Sequence, residues 1–134
     1  MSYLRRGRLL ACLVLAGGII ALAGCRKTAP SGPDIVMWHD IAPSPPKVGA
    51  ATITVGLTDT AGKPIVGARI NLEGNMTHPG MRPVFGEAGE IGAGRYQAPL
   101  RFTMGGDWII LVRINLLNGQ KLEREFEVKG VRSS

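Results

Sequence analysis

The sequence predicts an all-β domain, a β-sandwich of about seven strands, and three observations point to it. After Val48, apolar and polar residues alternate along several segments, as is typical of half-buried strands. Glycine and proline residues punctuate these segments at short intervals, as turns do. No stretch after residue 24 has the apolar period of a helix. Short strands at this spacing favour two packed antiparallel sheets.

Five apolar stripes define the predicted strands, and the residues between them predict the turns. Asn118-Gly119 is typical of a two-residue hairpin turn, because both central positions of that turn need positive φ. Residues 59–64 predict a loop around Gly62. We expect Trp108 to anchor the core, since it is a large aromatic residue that begins an apolar stripe. The stripes are Ile53, Val55 and Leu57; Ala68, Ile70 and Leu72; Tyr96, Ala98, Leu100, Phe102 and Met104; Trp108, Ile110, Val112 and Ile114; Leu122, Phe126 and Val128.

Residues 1–24 have the organisation of a cleavable secretory signal. Three arginines form a positive n-region, residues 9–21 form an apolar run too short for a good spanning helix, and the segment ends Leu22-Ala23-Gly24-Cys25. That ending resembles the bacterial lipobox, which implies lipidation of Cys25 and cleavage before it. We therefore expect an exported protein anchored by lipid to a bacterial membrane, on its periplasmic or extracellular face. The alternative is an ordinary signal peptide followed by a free cysteine.

The rest of the chain divides into a tether and a domain. Residues 25–47 hold the lipidated cysteine and five prolines, which predict an extended tether. An apolar island at residues 35–40 interrupts it, and two interpretations remain open: a short edge strand on the domain, or a mobile arm. Residues 48–131 form the predicted sandwich. Cys12 leaves with the signal, so this domain has no disulfide and depends on packing alone.

Charge and composition exclude two classes of function. Removing residues 1–24 takes away three arginines and no acid, which lowers the net charge from +6 to about +3. The remaining charges alternate in sign and form no basic run, so we expect no nucleic-acid partner. From Val48 to Arg132 there is no serine or cysteine, and His78 is the only histidine. Neither a nucleophilic triad nor a usual catalytic zinc set can be assembled from these residues, so the sequence predicts a protein that is not an enzyme.

Four motifs follow one another along the chain: Pro45-Pro46-x-Val48-Gly49, Met76-x-His78-x-x-Met81, Gly94-Arg95-Tyr96 and Phe102-Thr103-Met104-Gly105-Gly106-Asp107-Trp108. In this order they resemble the YtkA-like domain family, whose neighbours include FixH-type and copper-associated periplasmic modules. The resemblance covers about residues 45–128 and implies an immunoglobulin-like sandwich in an exported or lipidated protein.

Met76, His78 and Met81 form the candidate metal site. In an extended segment the first two side chains point to the same side, and Pro79-Gly80 then turns the chain back. Thioether and imidazole groups are soft, neutral ligands that suit Cu(I). Met104, in a glycine-rich turn, is a candidate fourth ligand. The competing interpretation is that the methionines fill the core, and the parity that Met104 shares with Phe102 favours a core position for it. Met37 and His39 repeat the Met-x-His spacing within the tether.

Two functional hypotheses remain open. The first is a non-catalytic lipoprotein that binds or delivers Cu(I) through the Met/His loop, with a copper-handling protein as its partner. The second is a metal-free accessory module that docks a sheet edge or its loops onto a membrane protein complex. Stoichiometric uptake of Cu(I) separates them, because only the first predicts it.

Overall fold

The computed structural model describes residues 34–133, which form seven β-strands and contain no helix. All strand pairs are antiparallel, in the order β1-β2-β5-β4-β3-β6-β7. The predicted all-β fold of about seven strands is confirmed. The expected signal peptide and Cys25 lie outside the described residues. The strands are β1 (Ile35–Ala42), β2 (Gly49–Asp59), β3 (Arg69–Met76), β4 (Val84–Gly92), β5 (Arg95–Phe102), β6 (Gly106–Asn115) and β7 (Lys121–Val131).

Strand β4 joins the two layers of the sandwich because it changes partner along its length. Residues 84–88 pair with β3, and residues 89–92 pair with β5 through a register shift. The single seven-stranded sheet therefore curls into one layer of β1, β2 and β5 and another of β3, β6 and β7. Across the part of the chain that the structure describes, no helix is long and apolar enough to cross a membrane.

The core consists of the inward residues of both layers, and its largest side chain is Trp108. The alternation predicted for β5 and β6 is seen directly, since every second residue from Tyr96 to Phe102 and from Trp108 to Ile114 is buried. Trp108 is fully buried and meets the ring of Phe102 edge-on, with 5.4 Å between ring centroids. The predicted role of Trp108 as core anchor is confirmed.

The structure corrects the predicted boundary at Val48, because β1 lies inside the segment assigned to the tether. β1 pairs with β2 over eight positions, from Ile35 opposite Asp59 to Ala42 opposite Thr52. Ile35 is buried, and two further inward side chains of β1 pack against the core. Of the two interpretations of residues 35–40, the edge strand is therefore the one observed.

β1 and β7 are the free edges of the two layers, and they meet along one side of the sandwich. The His39 ring stacks on Phe126 with 3.8 Å between centroids. At one end of this side the backbone N–H of Val48 donates to the Arg132 carbonyl at 2.9 Å, and the Arg132 N–H donates to Pro46 at 3.0 Å. Partial burial lowers the pKa of His39, and the nearby negative charge of Asp40 offsets part of this by raising it. The neutral imidazole thus suits this stacked position.

Antiparallel pairing sorts the loops into two ends of the sandwich. We call the end where β1 begins the proximal end, and it carries the β2–β3 loop (residues 60–68), the β4–β5 turn (93–94) and the β6–β7 loop (116–120). The opposite, distal end carries the β1–β2 connection (43–48), the β3–β4 loop (77–83) and the β5–β6 loop (103–105).

The predicted turns exist, but one differs in length. The Asp59 carboxylate accepts the N–H groups of Ala61 and Lys63, each at 2.9 Å, and Gly62 has a φ of 83°, as the predicted loop requires. The β6–β7 loop is longer than the predicted two-residue turn. Its closing hydrogen bond runs from the Leu116 N–H to the Gln120 carbonyl at 2.8 Å, and the left-handed Gly119 completes it.

Gly56 is required by the close approach of Trp38, and its replacement is expected to destabilise the domain. The Trp38 ring lies directly over Gly56, so a Cβ at this position would overlap it. We expect Gly56→Ala to lower the free energy of unfolding by about 1–3 kcal/mol, because the indole must be displaced. Urea denaturation measures this. Gly89→Ala is the matched control, since a Cβ there has no neighbour within 4 Å. Equal stability of the two variants would contradict the prediction.

Candidate functional site

The four predicted ligands lie at the distal end, on two loops that the fold places side by side. Met76 is the last residue of β3 and pairs with Trp108 near the start of β6. His78 and Met81 follow in the β3–β4 loop, and Met104 lies in the β5–β6 loop. The Thr77 N–H donates to the Asp107 carbonyl at 3.2 Å, which ties the two segments together. Met76 and Met104, which are 28 positions apart in the sequence, are thus brought to the same end of the sandwich.

Met76 connects this end to the core. It is half-buried and packs against the core cluster. A Cβ added at Gly106 would lie 3.3 Å from the Met76 methyl carbon, so the thioether lies beside the glycine that begins β6. Gly106 has a φ of 120°, which few other residues adopt. The glycine therefore serves both the turn and the packing of Met76.

Met104 is exposed, and the prediction of a core position for it is wrong. Its side chain retains 47% of its accessible surface. β5 ends at Phe102, so the alternation that placed Met104 inward stops before it. The loop backbone is hydrogen-bonded to the core, because the Trp108 indole N–H donates to the Met104 carbonyl at 3.1 Å. The backbone of Met104 is fixed by the core while its side chain faces solvent.

The β3–β4 loop presents the remaining two candidates to solvent. Met81 is 37% exposed and His78 is exposed. Between them Gly80 has a φ of 81°, which is the turn that the Pro79-Gly80 pair predicts. Neither residue is held in the core. The core-filler interpretation therefore fails for Met81 as it does for Met104.

The second Met-x-His pair is not part of this set. Met37 and His39 are inward positions of β1, not residues of a free tether. Met37 packs against the core cluster, and the His39 ring is stacked on Phe126. Their side chains are accounted for by packing, so the structure gives them no place in a metal site.

The donors at the distal end fit a soft ion better than a hard or borderline one. Within residues 34–133, no group of three or more histidine, cysteine, aspartate or glutamate side chains is placed to hold a metal. The candidate set instead offers three thioethers and one imidazole, all uncharged when they bind. That is the chemistry preferred by Cu(I), whereas zinc sites are built from histidine, cysteine and carboxylate.

Sequence reasoning missed that the distal end is strongly cationic. Its loops and adjoining strand ends contain five basic side chains and two acids, Asp107 and Glu127, and Glu127 forms an ion pair with Lys129 at 3.0 Å. Asp107 accepts the Gly130 N–H at 2.8 Å, so it fastens β7 instead of capping its own turn. The basic residues are too far apart in sequence to form a visible run, and only the topology gathers them. They are Lys47, Arg82, Arg101, Lys129 and Arg132.

The fold and this loop end define a class of protein: an immunoglobulin-like β-sandwich module with methionine and histidine on two neighbouring distal loops. The model of the YtkA-like family matches residues 40–113, which include both loops and more than half of the chain. The chain belongs to the YtkA-like family. No curated protein matches the sequence.

A solved structure supports the fold at low sequence identity. A DUF4426 family protein from Pseudomonas aeruginosa superposes with a TM-score of 0.57 at 13% identity, covering 73% of this chain and 91% of that one. The soluble domain of PmoD from Methylocystis has a TM-score of 0.48 at 12% identity, covering 76% and 98%. At these identities the first similarity concerns the fold alone.

Proposed function

We propose that the protein is an exported, non-catalytic lipoprotein, anchored through Cys25, that binds Cu(I) at its distal end and passes it to a copper-handling protein. The observation that carries the proposal is the exposure of Met81 and Met104 to solvent. Both are exposed on neighbouring loops, beside Met76 and His78. Methionines that only filled the core would be buried, as Met37 is in part.

The ligand chemistry supports Cu(I) and a labile mode of binding. Thioethers are never protonated in water and carry no charge, so they favour Cu(I) over Zn(II) and hold Cu(II) weakly. Exposed loop ligands are accessible to a partner, as transfer between proteins requires.

The decisive measurement is Cu(I) affinity under reducing conditions, in competition with a chromophoric chelator. We expect one Cu(I) per protein and an affinity at least about tenfold lower in Met81→Leu/Met104→Leu, which removes two ligand sulfurs and keeps apolar volume. Met37→Leu is the matched control, because Met37 lies at the core and should leave the affinity unchanged. His78→Ala should weaken binding, because it removes the one imidazole of the candidate set.

Two results would contradict copper binding: an unchanged Cu(I) affinity in the double methionine variant, or uptake of zinc as readily as Cu(I). Circular dichroism and the melting temperature of each variant confirm that it is folded. Since both substituted methionines are exposed, we expect no change in either quantity.

A metal-free docking module is the second candidate, and the charge of the distal end favours it. Five cations and two acids leave an excess of positive charge at this end, which attracts an acidic surface and opposes the approach of a metal cation. In this case the distal loops contact a membrane protein complex directly, and the exposed methionines provide adaptable apolar contacts. The absence of stoichiometric Cu(I) uptake by the wild-type protein would favour this candidate.

A further inference from the structure

The proximal end and the sheet surface beside it expose most of the large apolar side chains outside the distal end. Leu117 is the most exposed of them, at 78%. Val66 and Ile91 are about half exposed, on the β2–β3 loop and near the end of β4. Val36 and Trp38 lie on the outer face of β1, close to where that strand begins. We call these five residues the proximal apolar patch.

The two loops that carry Val66 and Leu117 are packed against each other, so this part of the patch is a built surface. A Cβ at Gly67 would lie 2.6 Å from a methyl carbon of Leu117, which places the β6–β7 loop on the β2–β3 loop. The Gly67 N–H donates to the Glu90 carboxylate at 2.8 Å, which ties the same loop to β4. A shallow depression of about 320 Å³ lies between Val66 and Leu117. Val66 and Leu117 are thus held together at this end.

The charged residues at this end are of both signs. Net charge therefore selects no partner, and the apolar side chains are left to make the contact. This end carries four basic residues, Lys63, Arg69, Arg95 and Lys121, and three acids, Asp34, Asp59 and Glu90. Two of these acids are engaged: Asp59 accepts two loop amides, and Glu90 accepts the Gly67 N–H. Long cationic side chains around an aliphatic and tryptophan surface are typical of a surface at a membrane interface, where their heads reach the headgroups.

The length of the chain that precedes β1 limits which end of the domain can face the bilayer. Nine residues separate Cys25 from Ile35, and even fully extended they span only about 35 Å. An 11-residue strand such as β2 is itself about 36 Å long. To turn the distal end to the bilayer, the linking segment would have to be fully stretched, at the greatest cost in chain entropy. The short connection instead keeps the proximal end next to the lipid.

We propose that the proximal apolar patch rests on the headgroup region of the bilayer that holds the lipid anchor, and that the domain stands with its Met/His loops away from the membrane. This rests on the proposed anchoring through Cys25. Tethering gives the patch a high effective concentration at the surface, so a weak contact suffices to orient the domain. The distal loops then face soluble domains or the outer parts of membrane complexes.

The test uses the full-length protein, processed in bacteria and reconstituted into phosphatidylethanolamine/phosphatidylglycerol vesicles. Leu117→Cys and Thr103→Cys place a thiol on the proximal and distal ends, both exposed. Each is labelled with an environment-sensitive dye, and the vesicles contain lipid with a quencher at headgroup depth. We expect quenching at position 117 to be at least about threefold stronger than at position 103, with emission shifted to shorter wavelength.

The controls separate orientation from anchoring. In the wild type Cys25 is blocked by lipid and should take up no dye. Labelling of wild-type Cys25 would overturn the anchoring, and the proposed orientation with it, without affecting the copper measurement. Equal quenching at positions 117 and 103 in protein with a blocked Cys25 would overturn the orientation alone. Val66→Ser/Ile91→Ser, which changes only exposed side chains, should reduce quenching at position 117 toward the value at 103.

Discussion

Trp108→Ala is expected to lower the free energy of unfolding by about 3–5 kcal/mol, the cost of truncating a fully buried aromatic side chain to leave a cavity. The indole fills the centre of the core, meets Phe102 edge-on and donates to the Met104 carbonyl. Since domains of this size are stable by only about 5–15 kcal/mol, the variant should lose a large part of its stability. Urea denaturation followed by circular dichroism measures it.

Trp38→Ala is the matched control, because Trp38 is the other tryptophan and is 42% exposed. Its loss should cost clearly less. Trp108→Phe keeps an aromatic ring but removes the N–H, so it should be intermediate and should release the β5–β6 loop that carries Met104. A similar loss of stability in Trp38→Ala and Trp108→Ala would contradict the core role of Trp108.

Tyr96→Phe is expected to cost about 1–3 kcal/mol, because it leaves a loop without its buried hydrogen-bond partner. The hydroxyl of the buried Tyr96 donates to the Ile65 carbonyl at 2.7 Å and accepts the Ala68 N–H at 3.0 Å. These two bonds hold the β2–β3 loop to β5 across the proximal end. Urea denaturation of wild type and variant at neutral pH measures the difference.

The same hydroxyl makes stability depend on alkaline pH. Burial, with the nearby Glu90, raises the pKa of Tyr96 to about 12, against the lowering effect of the Ala68 N–H. An unfolded tyrosine has a pKa of about 10, so the unfolded state loses its proton first as pH rises. This contribution to stability is complete below pH 10 and is lost as pH rises through about 12.

Tyr96→Phe should remove this alkaline component of the unfolding curve. Tyr96 is the only tyrosine outside residues 1–24, so tyrosinate absorbance of the processed protein reports its ionisation directly. A Tyr96 that titrates near pH 10 in the folded protein, or a variant with the wild-type alkaline dependence, would contradict this account.

Most of the fold could be predicted because strands with one buried face carry a clear period of two. The stripes from Tyr96 to Phe102 and from Trp108 to Ile114 are inward in the structure as predicted. β1 was ambiguous because apolar residues occupy both of its faces: Ile35 faces the core, and Trp38 lies over Gly56 on the outside. Parity misplaced Met104, because alternation does not show where a strand ends.

The candidate site could be predicted only in part, because it is assembled by pairs distant in sequence. The Met-x-His spacing identified the β3–β4 loop, but the pairing of Met76 with Trp108 brings the β5–β6 loop beside it. The cations of the distal end come from four separate segments, so no local run signals them. Such features follow from strand order, which a single sequence does not specify.

The position of β1 also decides how the domain resists a mechanical load. A pull on the chain that precedes Ile35, opposed at the distal end, acts along the axis of β1. Hydrogen bonds between antiparallel strands run perpendicular to that axis, so such a pull loads them in shear. The eight register positions between β1 and β2 then resist together, whereas a pull across the strand would unzip them one at a time. A pull along the chain before Ile35 therefore meets more resistance from this edge strand than a pull across it would.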